Sequence, residues 1–324
     1  MNTIELIKQP VVKEMEEFKQ LFDSSLCAEN ELLNHALTQI KSRRGKMMRP
    51  ILVMLMAKLH GSINSSTQHA ALSLELLHTA SLVHDDVVDE SDERRGQKSM
   101  KAIYNNKVAV LVGDYLLASS LKHAAYTSII ELVELVSKLG QQLSEGEIIQ
   151  LSNTDNKDFS EDVYFEVIRK KTAALFAVSA EAGAVSVSAS EEDIQKAGQF
   201  GELIGIAFQI KDDIFDYFDN QNIGKPTGND MREGKLTLPA LYMLNKLNDE
   251  ALNAIALKIR ASEATDDEIS FFVNRVKEEG GIEHAEAVMY AYRDKALTLL
   301  PSSMDASLRD ALVAYIDYVI ERKK

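Results

Sequence analysis

The sequence predicts an all-α protein, a large single-domain helical bundle of 324 residues. Three observations carry that expectation. Only five prolines occur, and none lies between Pro50 and Pro226. Proline clashes with the preceding helical turn and lacks an N–H to donate, so this gap leaves room for a series of unbroken helices. Apolar residues recur at helical spacing, as Leu72, Leu76, Leu77, Ala80, Val83 and Val87 in one stretch and Tyr164, Val167, Ile168 and Leu175 in another. Alternating strand patterns are scarce, and no Asn-Gly turn separates two such runs.

Taken in order, the N-terminal segment mixes Glu5 and Lys8 among its apolar residues and lacks the clean apolar centre of a signal peptide. The dense run 51–57 suits a buried helix. No stretch reaches the roughly 18 apolar residues that a membrane span needs. Loop signals fall at 61–67, 92–97, 153–158 and 219–229, with helices expected between them. The last is the clearest, since it holds Asn220, Asn222, Gly224, Pro226, Gly228 and Asn229. No repeat of solenoid period and no low-complexity linker divides the chain, so one domain over 1–324 is expected.

Hydrophobic residues make up 45% of the chain and charged residues 27%, a composition that can bury a core and stay soluble. The formal net charge of −14 argues against non-specific binding to nucleic acid or to an anionic membrane, because both would repel it. Cys27 is the only cysteine. An intrachain disulfide and a zinc-type cysteine cluster are both excluded, and a cytoplasmic location is the natural expectation.

The sharpest feature is Asp85-Asp86-Val87-Val88-Asp89, whose pattern returns as Asp212-Asp213-Ile214-Phe215-Asp216. On a helix the i, i+3 and i+4 spacings gather the carboxylates on one side. Like charges so close repel, which costs stability unless something positive neutralises them. A hard divalent cation is the natural neutraliser, and magnesium in particular takes one or two carboxylates together with substrate phosphates. A single copy of so short a pattern is more simply a solvated acidic face. Two copies, each on an apolar helix with basic residues near it, favour a clamp on a diphosphate.

A diphosphate also needs cations from the protein. Lys46 and Arg49 sit beside a turn in Gly45-Lys46-Met47-Met48-Arg49-Pro50. Arg94 and Arg95 follow the first acid run, Lys171 and Thr172 lie in a helical segment, Lys225 lies in the long loop, and Lys235 follows Gly234. Arginine suits bidentate phosphate contacts and lysine acts as a point charge. Each alone is more often a surface cation, and His78 alone is more often a satisfied core residue. The joint pattern points to function.

These residues together resemble the trans-prenyl diphosphate synthases, the polyprenyl synthase family, of the medium- and long-chain type that includes octaprenyl diphosphate synthase. The resemblance runs through GKMMRP (45–50), ELLHTASLVHDDVVDESDERRG (75–96), GDYLLA (113–118), EGEIIQ (145–150), KTAALF (171–176), FQIKDDIFD (208–216) and GKPTGNDMREGKLTLP (224–239), in family order. It implies the isoprenoid synthase fold around a central active-site cavity, and a magnesium-dependent prenyltransferase with about three ions per site. It further implies that Asp85, Asp86, Asp89 and Asp212 hold magnesium on the allylic diphosphate, supported by Asp213 and Asp216. Arg94, Lys171, Lys225 and Lys235 would contact that diphosphate. Lys46, Arg49, His78 and Arg95 would bind isopentenyl diphosphate, and Thr172 and Gln209 would lie near the reacting carbons. The primer implied is farnesyl or geranylgeranyl diphosphate, the product a medium or long all-trans chain such as a quinone side chain, and the assembly a homodimer. Met47-Met48 departs from the Arg-Leu common in the family but leaves Lys46 and Arg49 in place.

A class I terpene cyclase would share the fold and one acid run, but it has no need of the second run or of cations for a second diphosphate. A regulatory subunit without activity would have lost aspartates or cations that this chain keeps. A plain helical scaffold would release no pyrophosphate from the two substrates.

Product length should be set beside the first acid run. Ala80 and Ser81, five and four residues before Asp85, are both small. A helical turn rises about 5.4 Å, near the length of one isoprene unit, so the growing tail can pass this level. Leu77 and Leu74, deeper on the same helix, are candidate walls. Ala80→Tyr or Ser81→Phe should therefore truncate the product to farnesyl or geranylgeranyl length, as read by chromatography of labelled products. Leu77→Ala or Leu74→Ala should lengthen it if they form the floor. An active Ala80→Tyr enzyme with the parent product would show that the tail runs elsewhere.

Overall fold

The computed structural model describes residues 2–43, 45–94, 96–152, 159–218 and 227–321. They are helical almost throughout and fall into two compact units. The first comprises Met1–Gln141, Leu175–Gly201 and Leu299–Tyr318, the second Gln142–Ala174, Glu202–Thr298 and Val319–Lys324.

The first unit opens with α1 (Thr3–Lys8), α2 (Val12–Ser25) and α3 (Glu31–Ser42), followed by α4 (Met48–His60) and α5 (Ser65–Val88). Every residue from Pro50 to Ala57 is buried, so α4 is a core helix enclosed all round rather than an amphipathic one. A short antiparallel hairpin pairs Glu93–Arg94 with Gln97–Lys98, and α6 (Met100–Ile103) and α7 (Asn106–Tyr126) follow. Four more helices supply residues to this unit: α8 (Ile130–Ser152), α10 (Ala174–Ser186), α11 (Glu191–Phe215) and α17 (Ala306–Glu321).

The helix α5 starts at Ser65, inside the loop expected over 61–67. Asn64 is its N-cap and accepts from the Thr67 N–H at 3.0 Å, which satisfies an orphan donor of the first turn. Asn64 also donates to the Ser186 carbonyl at 3.0 Å, and Thr67 meets the Ser186 hydroxyl at 2.8 Å, which ties α5 to the end of α10. Along its length α5 packs chiefly on α7. Two polar pairs key that contact, one buried and one half-buried. Ser73 donates to the Ser120 carbonyl at 2.9 Å, and His69 and His123 approach Nδ1 to Nδ1 at 3.0 Å with Tyr126 edge-on to both.

The second unit holds α9 (Glu161–Ile168), which runs through a π-helical turn (Arg169–Ala173) into α10. It continues with α12 (Asn229–Arg232), α13 (Leu238–Leu247), α14 (Glu250–Arg260), α15 (Asp266–Glu278) and α16 (Gly281–Thr298). Here α13 is the hub, packed on α9, α15 and α16. The loop expected over 153–158 lies outside the described residues, as does 219–226 of the long loop. The remainder of that loop ends at Gly228, which is the N-cap of α12.

The histidine pair gives the fold a definite acid sensitivity. Burial, then the neighbouring His69 and Lys122, push His123 down from its ordinary 6.5 to about 4. The folded state therefore holds it neutral, whereas the unfolded chain protonates it below about 6.5. Its stabilising contribution is complete above pH 6.5 and is lost as pH falls toward 4. His123→Gln should flatten that part of the stability curve. Denaturant unfolding of both proteins across this range checks it, and parallel curves would remove His123 as the cause.

Candidate active site

The first acid run lies at the C-terminal end of α5. The helix stops at Val88 and Asp89 is its C-cap, so Asp85, Asp86 and Asp89 occupy the last turn and the residue beyond it. Carbonyls point outward there and the helix dipole is negative, so the anions stand at the unfavourable end. No basic residue shares that turn.

Asp86 differs from its neighbours. It is 4% exposed and pairs with Arg94, Nε to Oδ1 at 2.7 Å, whereas Asp85 is half-buried and Asp89 exposed. A step of one residue turns about 100° around a helix, which separates Asp85 from Asp86. Helical spacing instead puts Asp85 in line with Ser81, His78, Leu77 and Leu74. Arg94 is delivered by the short hairpin, whose bend uses Gly96 at φ +72°, a left-handed conformation natural to glycine. Arg95 lies outside the described residues. Ala80, Leu77 and Leu74 are buried, Ser81 is half-buried, and the Leu77 methyl points toward Gly140 on α8.

The first unit also holds the other expected cations. Lys46 bonds the Tyr318 hydroxyl and lies 5.1 Å from that ring's centre. Arg49, in the first turn of α4, has its guanidinium 5.6 Å from the Phe176 ring. Between them Met47 adopts φ +54°, a strained conformation for a side chain of its size, and is held there by burial. The Tyr315 hydroxyl donates to the Met48 carbonyl at 3.2 Å and braces the same turn. His78 lies half-buried on α5, and its carbonyl accepts from Ser81 at 2.9 Å.

The second acid run lies at the C-terminal end of α11, again with no basic residue in the last turn. Its members divide. Asp213 is 3% exposed and accepts from the Tyr164 hydroxyl at 2.6 Å and from the Gln209 amide at 2.8 Å. Asp216, just past the helix, accepts from the backbone N–H groups of Asn229 and Asp230 at 3.0 and 3.1 Å, fixing the start of α12. Asp212 is half-buried. Burial pushes the Asp213 carboxyl above the usual range, although its hydrogen bonds pull the other way.

A cleft of about 260 Å³ in this unit is lined by Asp213, Gln209, Lys171, Thr172 and Lys235, which brings five of the expected residues together. The π-helical turn makes this possible. One wide turn, closed by the Ala174 N–H on the Arg169 carbonyl, shifts the register around Lys171 and Thr172. It is bulky, and glycines receive it on two sides. A Cβ on Gly146 would lie 2.8 Å from Lys171 Cγ, and one on Gly205 would lie 2.5 Å from Ala173 Cα. Thr172 donates to the Gln209 oxygen at 2.6 Å. Lys171 is steered by Glu147 and by Gln150, the latter at 3.0 Å, and Lys235 pairs with Glu233 at 2.7 Å. Lys225 lies outside the described residues.

The same cleft contains residues that the motif reading passed over. The sequence pattern places Tyr164 on a helical core face, and Asp230 lies inside the 224–239 motif. Both line the cleft. Burial, then Asp216 and Asp213 beside it, raise the Asp230 carboxyl above its usual range. Periodicity labels Tyr164 as core because its ring is core, and it carries no signal about what the hydroxyl meets.

The donors of both acid runs are oxygens, as hard divalent cations require. Among the described residues no three His, Cys, Asp or Glu side chains converge on one point. No helix among the described residues is long and apolar enough to cross a membrane.

Comparison with known proteins agrees. Residues 30–276 match the family model described as polyprenyl synthetase. The octaprenyl diphosphate synthase of Escherichia coli K12 is 30% identical over 322 residues, covering 99% of each chain. Among solved structures, a geranylgeranyl pyrophosphate synthase from Bacteroides thetaiotaomicron is 54% identical, with a TM-score of 0.88, covering 99% of this chain and all of that one. A polyprenyl synthase from Caulobacter crescentus, complexed with calcium and isoprenyl diphosphate, is 29% identical with a TM-score of 0.90, covering 99% and 98% of the two chains.

Asp216 has a structural duty that can be measured without any substrate. Asp216→Ala removes the acceptor of two backbone N–H groups and should lower stability by about 1–2 kcal/mol. Asp216→Asn, which keeps one carbonyl oxygen, should lose less. Urea unfolding in excess chelator reads both, and an unchanged Ala variant would show that α12 is held by other contacts.

Proposed function

The chain belongs to the polyprenyl synthetase family, and from that premise we propose that it is a trans-polyprenyl diphosphate synthase. It condenses isopentenyl diphosphate onto an allylic primer, farnesyl or geranylgeranyl diphosphate, and extends the chain to medium or long length. One observation carries the reading: α5 and α11 each end in an acid run at the negative end of the helix dipole, without a basic residue in the turn. That arrangement costs folding free energy, which Arg94, Tyr164, Gln209 and the α12 backbone offset in part and cationic ligands would offset further. The reading extends to a homodimer in the cytoplasm.

Magnesium held by Asp85, Asp86, Asp89 and Asp212, with Asp213 and Asp216 in support, would supply charge to stabilise the leaving diphosphate. The protein's own groups do the remainder. Lys171, Lys235 and Arg94 offset the negative charge that develops on the diphosphate as the allylic C–O bond breaks. Lys225 joins them by resemblance. Lys46, Arg49 and His78, with Arg95 by resemblance, hold isopentenyl diphosphate. Its double bond attacks the allylic carbon, forming the new C–C bond, and the resulting tertiary cation loses a proton to the departing pyrophosphate. Lys171 and Lys235 are anchored by Glu147, Gln150 and Glu233, which keeps both cations in place before substrate arrives.

A shorter product is the second reading, favoured by the Bacteroides thetaiotaomicron relative's name. The small pair Ala80 and Ser81 favours the longer one. Chromatography of the products from labelled isopentenyl diphosphate separates them.

Excess chelator should abolish turnover and magnesium should restore it. Lys46→Ala, Arg49→Ala and His78→Ala should each raise KM for isopentenyl diphosphate more than for the primer. Full activity in chelator, or equal effects on both substrates, would count against this assignment.

A further inference from the structure

Four side chains of the second unit form an unbroken hydrogen-bonded chain. The Tyr164 hydroxyl donates to Asp213 Oδ2 at 2.6 Å, and Gln209 Nε2 donates to Asp213 Oδ1 at 2.8 Å. Thr172 then donates to Gln209 Oε1 at 2.6 Å. All four line the one cleft, and Tyr164 and Asp213 are buried.

We propose that Tyr164 is a positioning residue for prenyl transfer, acting through Asp213 to set which way the Gln209 amide and the Thr172 hydroxyl face. The proposal rests on the reading of this cleft as part of the prenyl-transfer site.

The polarity of the chain is what makes it directional. Both Asp213 oxygens accept, one from Tyr164 and one from the Gln209 nitrogen, which leaves the Gln209 oxygen facing Thr172. Thr172 is thereby committed as a donor to Gln209. Its oxygen keeps lone pairs, rather than a proton, for any other contact in the cleft. A lone pair is the useful partner for an allylic cation, which a directed O–H dipole would repel. Asp213 alone cannot hold this state, because a carboxylate bonded on one oxygen can swing about its last torsion. The Tyr164 hydroxyl engages the second oxygen and locks the plane. Tyr164 itself is held from α9, one turn before the π-helical segment that carries Thr172. Both ends of the chain therefore start from the same stretch of backbone.

Kinetics on the intact enzyme test this. Tyr164→Phe keeps the ring and deletes the hydroxyl. It should lower kcat about tenfold, the scale of one buried hydrogen bond, while KM for isopentenyl diphosphate stays within about threefold. In a Gln209→Ala background the same change should have no further effect on kcat, because the group it positions is gone. Asp213→Asn is the second arm. Its amide can still accept from Tyr164 but presents N–H to Gln209, which must flip and release the Thr172 proton. It too should lose kcat, and Tyr164→Phe should add little to it. Calorimetric binding of a non-reactive thio analogue of farnesyl diphosphate should be unchanged in Tyr164→Phe, and its melting temperature, read in chelator, should stay near that of the parent.

Additive losses in the double variants, or parental kcat in Tyr164→Phe, would overturn the proposal. So would a Tyr164→Phe variant that loses analogue binding and thermal stability together, since that is a structural role. If Tyr164→Phe does not fold, the Asp213→Asn arm decides by itself, and parental kcat there overturns the chain. A parent protein that makes no prenyl diphosphate from the two substrates would defeat the functional reading, a different result from an active parent indifferent to Tyr164.

Discussion

The rest of this structure depends on holding carboxylates where a helix least wants them. The carbonyl end of α5 carries Asp85, Asp86 and Asp89, and that of α11 carries Asp212 and Asp213 with Asp216 just beyond. Helix dipole and mutual repulsion both oppose this. A protein under no functional demand would place these residues at the other ends of the helices, where they would stabilise. The surrounding architecture is organised to tolerate the cost.

It does so by giving different aspartates different partners. Arg94 takes Asp86 in the first unit. In the second, Tyr164 and Gln209 take Asp213, and the backbone of α12 takes Asp216. Each partner lowers the local charge cost by a directed bond, and each ties a functional element to the acid run. The hairpin, the π-helical turn and the short α12 are too small to be stable alone and persist because these bonds and their packing hold them.

The cations proposed for the site follow the same economy. Lys171 is fixed by Glu147 and Gln150 from α8, and Lys235 by Glu233. Lys46 is fixed by Tyr318. Long amines lose rotamer entropy when they bind, and prior tethering would remove part of that loss on binding a diphosphate. The strained Met47, buried between Lys46 and Arg49, shows that this turn is set by its surroundings and not by local preference.

Much was legible in the sequence alone. Proline spacing and helical periodicity determined the all-α class, because both act locally on the backbone. The motif order determined the family, and the paired acid runs determined the demand for cations, since charge and spacing are written in the chain. Only the tertiary structure decided how the aspartates divide. Asp85, Asp86 and Asp89 look alike in sequence, yet helix rotation and a hairpin several residues on select Asp86 for Arg94. Tyr164 was invisible as a cleft residue because its partner, Asp213, lies 49 residues along the chain, and Asp230 because its burial beside Asp213 and Asp216 is set by packing. The π-helical turn was equally hidden, since no residue pattern announces it. It exists because Gly146 and Gly205 leave room for one extra residue per turn, and that fit is a property of packing in three dimensions.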